Sequence, residues 1–101
     1  MKVMWRATVR IVSGKMAEYM QLEEKRKGFS RRMGMPAERV FMGLSGDSAH
    51  TLVYEMDWDS LAAMEAGLEK MFADPERHQM MAEYDGTIVT HENELLTPMP
   101  S

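Results

Sequence analysis

Three histidines, His50, His78 and His91, are the first residues to weigh for chemistry in this 101-residue chain. No two of them stand at a spacing that makes a helical metal pair, and no His-Glu-x-x-His pattern is present, so no metal site is expected. Taken singly, each reads as a surface or half-buried polar residue; one that acts would do so as a general base near neutral pH. Arg6 and Arg10 are separated so that a strand carrying them presents both on one face, with Thr8 between. Such a pair can clamp a carboxylate or phenolate through parallel hydrogen bonds. The simpler use of these arginines is cross-strand pairing with Glu55, Asp57 or Glu92. Trp5, Tyr54, Trp58 and Tyr84 can wall an aromatic cleft, although aromatic residues in strands more often fill a core. The 13 methionines are unclustered and suit adaptable packing better than metal ligation. Other chemistries are excluded outright. The chain has no cysteine, hence no thiolate nucleophile, disulfide or cysteine-based zinc site. It has no Gly-x-Ser-x-Gly elbow and no Gly-rich phosphate loop either.

These residues need a scaffold, and the chain is long enough for one domain spanning 1–101. A composition of 45% hydrophobic and 28% charged residues is that of a folded protein. The net charge of −4 disfavours nucleic acid or an anionic membrane as partner. The opening Met1-Lys2-Val3-Met4-Trp5-Arg6 shows no long apolar run, so neither a signal peptide nor a membrane span is expected, and a cytoplasmic location is the default.

From Val3 to Val12 the odd positions are apolar and β-branched while Arg6, Thr8 and Arg10 take even ones, which predicts a half-buried strand. Ser13 is placed to cap a helix over Lys15 to Met33, whose apolar stripe is Tyr19, Leu22, Phe29 and Met33, with Met16 and Met20 alongside. Its glutamates precede its lysines and arginines, as the helix dipole favours, and Gly34-Met35-Pro36 stops it. Strands follow at Arg39 to Leu44 and Ala49 to Asp57, joined by the turn Ser45-Gly46-Asp47-Ser48. A loop of two or four residues would put Phe41 on the face of Leu52, Tyr54 and Met56; a three-residue loop would put it on the other. Asp59 or Ser60 can cap a second helix with the stripe Leu61, Met64, Leu68, Met71 and Phe72. Asp74-Pro75 then predicts a bend and a short helical segment to Tyr84. A last strand runs from Thr87 to about Leu95, and a proline-bearing tail follows.

The order strand, helix, strand, strand, helix, strand closes most simply as a ferredoxin-like α+β fold: one four-stranded antiparallel sheet with two helices on one face. Neither face of that sheet is purely polar, so the face without helices is expected to be covered by a second copy of the chain.

With these elements in place, the chain resembles the dimeric α/β-barrel superfamily, near its NIPSNAP-type and antibiotic-biosynthesis-monooxygenase-like branches. The resemblance is carried by Trp5-Arg6-Ala7-Thr8, by Ser13-Gly14-Lys15, by the run from Tyr54 to Ala62 (Tyr-Glu-Met-Asp-Trp-Asp-Ser-Leu-Ala), and by Phe72-Ala73-Asp74-Pro75. It implies a homodimeric barrel with a cleft in each subunit between helices and sheet, where relatives take small aromatic or polyketide-like molecules, or haem. It also implies that His78, on the helix lining the cleft, is the candidate base or haem ligand. Haem-degrading relatives carry an asparagine in the first strand and a tryptophan and a histidine along the second helix. Here the only asparagine is Asn93, and alignment on Asp74 puts Lys70 and Met80 at the other two positions, so no haem or other cofactor is expected.

Two functions are compatible with these residues. One is a small-molecule-binding barrel dimer acting as a cofactor-independent monooxygenase, with His78 as base, Arg6 or Arg10 stabilising an anion, and Tyr54 and Trp58 as substrate walls. The other is a non-catalytic dimer that binds a metabolite or only mediates assembly.

Overall fold

The computed structural model describes residues 1–46 and 49–100. Its elements are β1 (Val3–Ile11), α1 (Met16–Arg32), β2 (Glu38–Met42), β3 (Thr51–Trp58), α2 (Leu61–Phe72), α3 (Pro75–Ala82) and β4 (Ile88–Leu96). The strands form one antiparallel sheet in the order β2-β3-β1-β4, a ferredoxin-like α+β arrangement. Of the expected β2–β3 turn, Asp47 and Ser48 lie outside the described residues.

β1 behaves as its alternation predicts. Val3, Ala7, Val9 and Ile11 are buried under the helices, with Trp5 half-buried among them. Met4, Arg6, Thr8 and Arg10 therefore point to the opposite, helix-free face. On β3 the buried set is Leu52, Tyr54, Met56 and Trp58. The ladder pairs Met42 with Leu52 and Phe41 with Val53. An odd-numbered connection thus puts Phe41 on the helix-free face, away from Leu52, Tyr54 and Met56.

Ser13 does not cap α1. Gly14, at φ +83°, closes a tight turn in which the Lys15 amide donates to Val12, and the helix starts beyond reach of the serine. Lys15 is the N-cap residue and makes no side-chain cap bond. The other end matches expectation. Gly34 takes the left-handed conformation, Met35 donates to the Ser30 carbonyl and Gly34 to that of Arg31, closing the helix with a Schellman motif.

As the Asp74-Pro75 pair predicts, the second helical stretch is divided into α2 and α3, so the fold carries three helices where the simplest closure had two. Ser60 caps α2 by accepting from the Ala63 amide at 3.0 Å. The break falls at Asp74, whose carboxylate accepts from the Glu76 amide at 2.9 Å, with Pro75 in the first turn of α3. Pro75 lacks the N–H that an unbroken helix would need, and Asp74 satisfies the amides freed by the interruption.

The apolar stripe expected on α2 is only half-realised. No α2 residue is buried, and Leu61 and Phe72 are exposed. α2 meets the sheet where Met64 packs on Val3, Met56 and Trp58 and where Gly67 lies against the Trp58 ring; a Cβ at Gly67 would stand 2.6 Å from Trp58 Cη2. Because the helices lie over β1 and β3, the helix-side residues of β4 (His91, Asn93 and Leu95) remain exposed. No described helix is long and apolar enough to cross a membrane.

Candidate functional site

Beneath α1 lies a polar cluster in which all three tyrosines of the chain converge. Tyr19 and Glu23, one helical turn apart, are both buried, and Arg26 follows on the same face, half-buried. Tyr54 rises from the middle of β3, and Tyr84 enters from the turn after α3.

The hydroxyls of Tyr19 and Tyr54 share a hydrogen bond of 2.7 Å. Tyr84 donates to Glu23 Oε1 at 3.0 Å, and its ring stands edge-on to Tyr19 with centroids 5.5 Å apart. Arg26 grips Glu23 at 2.6 Å and Glu38 of β2 at 2.6 Å, and its guanidinium lies 5.5 Å from the Tyr54 ring centroid. One guanidinium therefore serves two carboxylates and an aromatic face, a use of the planar fork that lysine could not match.

Burial sets the acid–base character of the cluster. It pushes all three phenols well above their ordinary range. The hydrogen bond to Tyr54 adds to this for Tyr19, and the Glu23 charge adds to it for Tyr54 and Tyr84. Burial works against the Arg26 charge, but its bonds to Glu23 and Glu38 outweigh that and raise its pKa. The phenols are therefore kept neutral, with Tyr84 donating to the carboxylate and Tyr19 and Tyr54 bonded to each other. Among the described residues every buried side-chain nitrogen and oxygen has a partner.

The proposed site residues do not gather at one place. Tyr54 belongs to the cluster, and Trp58 is buried at the far end of β3 against Gly67. Arg6 and Arg10 sit on the opposite face of the sheet. Arg6 makes the expected cross-strand pair with Glu55 at 3.0 Å, and Arg39 holds Glu55 at 3.3 Å and Asp57 at 2.7 Å. The hydrogen bond to Arg39 keeps the Asp57 carboxyl below its usual range. Arg10 is exposed on that face without an ion pair, as are Glu92 and Glu94 of β4. His78 is exposed on α3, its Nε2 3.1 Å from the Phe72 carbonyl at the helix break. No group of three or more His, Asp or Glu among the described residues is placed to hold a metal ion.

Glu23 and Arg26 escape a reading of the sequence that treats α1 charges as solvated. A signal was present. Tyr19, Glu23, Arg26 and Ser30 repeat at helical spacing along one stripe beside Leu22 and Phe29, so charges at those positions had to meet the sheet.

The NIPSNAP family profile matches residues 6–101, and the chain belongs to that family. No curated protein matches it in sequence. A NIPSNAP family protein from Agrobacterium tumefaciens has a similar fold, with TM-score 0.81, 20% identity, and 97% of this chain and 86% of that one covered. So does an uncharacterised NIPSNAP domain protein from Burkholderia xenovorans, with TM-score 0.80, 23% identity, and coverage of 98% and 95%. SnoaB, a cofactor-independent oxygenase from Streptomyces nogalater, shares the fold at TM-score 0.66 and 19% identity, over 99% of this chain and 95% of its own.

Proposed function

We propose that this chain is a small-molecule-binding homodimer, closed as an α/β barrel, that acts as a cofactor-independent oxygenase on an aromatic or polyketide-like substrate. The observation that carries the reading is the buried acid–phenol cluster between α1, α3 and the sheet. A carboxylate held in a dry, donor-rich, aromatic surround is suited to orient a hydroxylated ring and to accept its proton. The electron-rich anion so formed would meet oxygen directly, as the likeness to SnoaB suggests. The dimer is the premise of this reading. Phe41, Val53, Met4 and Leu96 put apolar surface on the helix-free face, beside the unpaired Arg10, Glu92 and Glu94. A second copy would bury the former and offer partners to the latter.

A non-catalytic metabolite-binding or assembly dimer is the second reading. It is favoured by the exposure of His78 and by the engagement of Arg6 with Glu55, which leave the expected base and one expected anion clamp outside the cluster. A thermal-shift panel of phenols, quinols and fused-ring polyketide-like compounds, followed by oxygen uptake with each binder, separates the two. Saturable stabilisation with oxygen uptake lost in Glu23→Gln supports the oxygenase. Stabilisation without uptake supports the second reading, and stabilisation by none of the panel overturns ligand binding altogether.

A further inference from the structure

We propose that Tyr84 is the resident occupant of a phenol-binding site, and that α3 is the flap whose displacement lets a free phenol take its place. The inference rests on the small-molecule reading above and specifies both the ligand class and the way in.

The site is defined by what Tyr84 touches. Its hydroxyl is received by Glu23 Oε1, its ring meets the Tyr19 ring edge-on, and Arg26 holds Glu23 from the other side. Those are the contacts a free phenol would seek: a buried carboxylate acceptor and an aromatic edge. A side chain supplied by the chain fills the place now.

The route out is equally specific. α3 is bounded by the Asp74–Pro75 break on one side and by Gly86, at φ +81°, on the other. It is seated by the buried Met80 and by Met81 against the core, and tied to α1 by two exposed ion pairs, Lys25–Glu83 at 3.2 Å and Arg32–Glu76 at 2.8 Å. Exposed pairs of this kind contribute little and are screened by salt. Between them runs a groove of about 350 Å³, lined by these four side chains with Gln79 and Met80. The Tyr84 carbonyl is held by the Thr87 hydroxyl at 2.6 Å and by the Thr87 amide. The backbone at Tyr84 is therefore pinned, and the ring is what leaves when α3 lifts.

The probes are p-cresol, which is the tyrosine side chain itself, and toluene, which lacks the hydroxyl. Binding is followed by ligand-observed NMR and thermal shift on the full chain. The wild type should bind p-cresol saturably and in preference to toluene. Tyr84→Phe keeps the ring but removes its bond to Glu23, weakening the resident competitor, and should bind p-cresol about tenfold to a hundredfold more tightly. Tyr84→Ala vacates the site and should bind it more tightly again, while Glu23→Gln in that background should erase the preference over toluene. An affinity unchanged in Tyr84→Phe would overturn the proposal, as would a wild type that binds no p-cresol while Tyr84→Ala does. If Tyr84→Ala fails to fold, the Tyr84→Phe comparison decides. Binding of other aromatics by a wild type that ignores p-cresol would sink this proposal and leave the broader reading standing.

Discussion

The Tyr84 hydroxyl donates to Glu23 across 3.0 Å, tying the turn after α3 to the middle of α1 over 61 residues of sequence. The bond joins a group contributed late in the chain to a carboxylate that Arg26 already holds from two nitrogens.

Tyr84→Phe should therefore destabilise the fold. It leaves a buried carboxylate oxygen with one donor fewer, a loss of about 1.5–3 kcal/mol for a hydrogen bond to a charged group. Tyr19→Phe removes a bond between two neutral hydroxyls and should cost less, about 1 kcal/mol. Urea unfolding of both variants checks the order. Equal losses, or none in Tyr84→Phe, would show that the carboxylate does not depend on its phenol.

Alkaline stability follows from the same cluster. The three phenols have raised pKa values in the fold, so the folded chain keeps protons that the unfolded chain releases above about pH 10. Their contribution is complete below that pH and is lost as pH rises above it, by about 1.4 kcal/mol per pH unit for each phenol. Phenolate absorbance should thus appear only with unfolding, in one cooperative step. Three phenols titrating near pH 10 in a protein whose circular dichroism is unchanged would contradict the buried network.

The helix break is held by a cap that can be removed singly. Asp74→Ala should cost about 1 kcal/mol, and Asp74→Asn much less, because an amide oxygen can still accept from Glu76. Loss of the cap should also loosen α3 before the rest of the chain, visible as faster amide exchange over 75–82 than in β1.

Gly67 is placed for contact rather than for backbone freedom. Alanine would gain helix propensity of about 1 kcal/mol, yet its Cβ would sit 2.6 Å and 2.8 Å from Trp58 ring atoms and 3.3 Å from Met35. An indole cannot flex away as a long side chain can, and overpacking of this kind costs about 1–3 kcal/mol. Gly67→Ala should be net destabilising by denaturant titration, with a change in tryptophan emission. A gain in stability would mean that α2 is free to shift outward.

Much of the fold was legible from local rules. The alternation of β1, the Gly34 stop and the Asp74-Pro75 break each act within a few residues and needed no tertiary information. The face of Phe41 was not legible, because it depended on the length of a turn whose type no residue fixed. The site was harder still. Tyr54 was recognised on its strand, but Glu23 and Arg26 look like ordinary helix charges until the three tyrosines are brought around them from β3 and the α3–β4 turn. His78 illustrates the converse. Its helix and the bend were anticipated, but not the heading that the break would give it, and it lies beside the Phe72 carbonyl in solvent.

The dimer underlies the whole functional reading, and sedimentation velocity across a dilution series into the low micromolar range tests it most directly. A chain that pairs through its helix-free sheet face should sediment as a dimer throughout, lose its fold together with its assembly, and weaken in Arg10→Glu as a pair of charges is set against Glu92 and Glu94. A folded monomer that persists at low micromolar concentration, with the same circular dichroism as the concentrated protein, would contradict it.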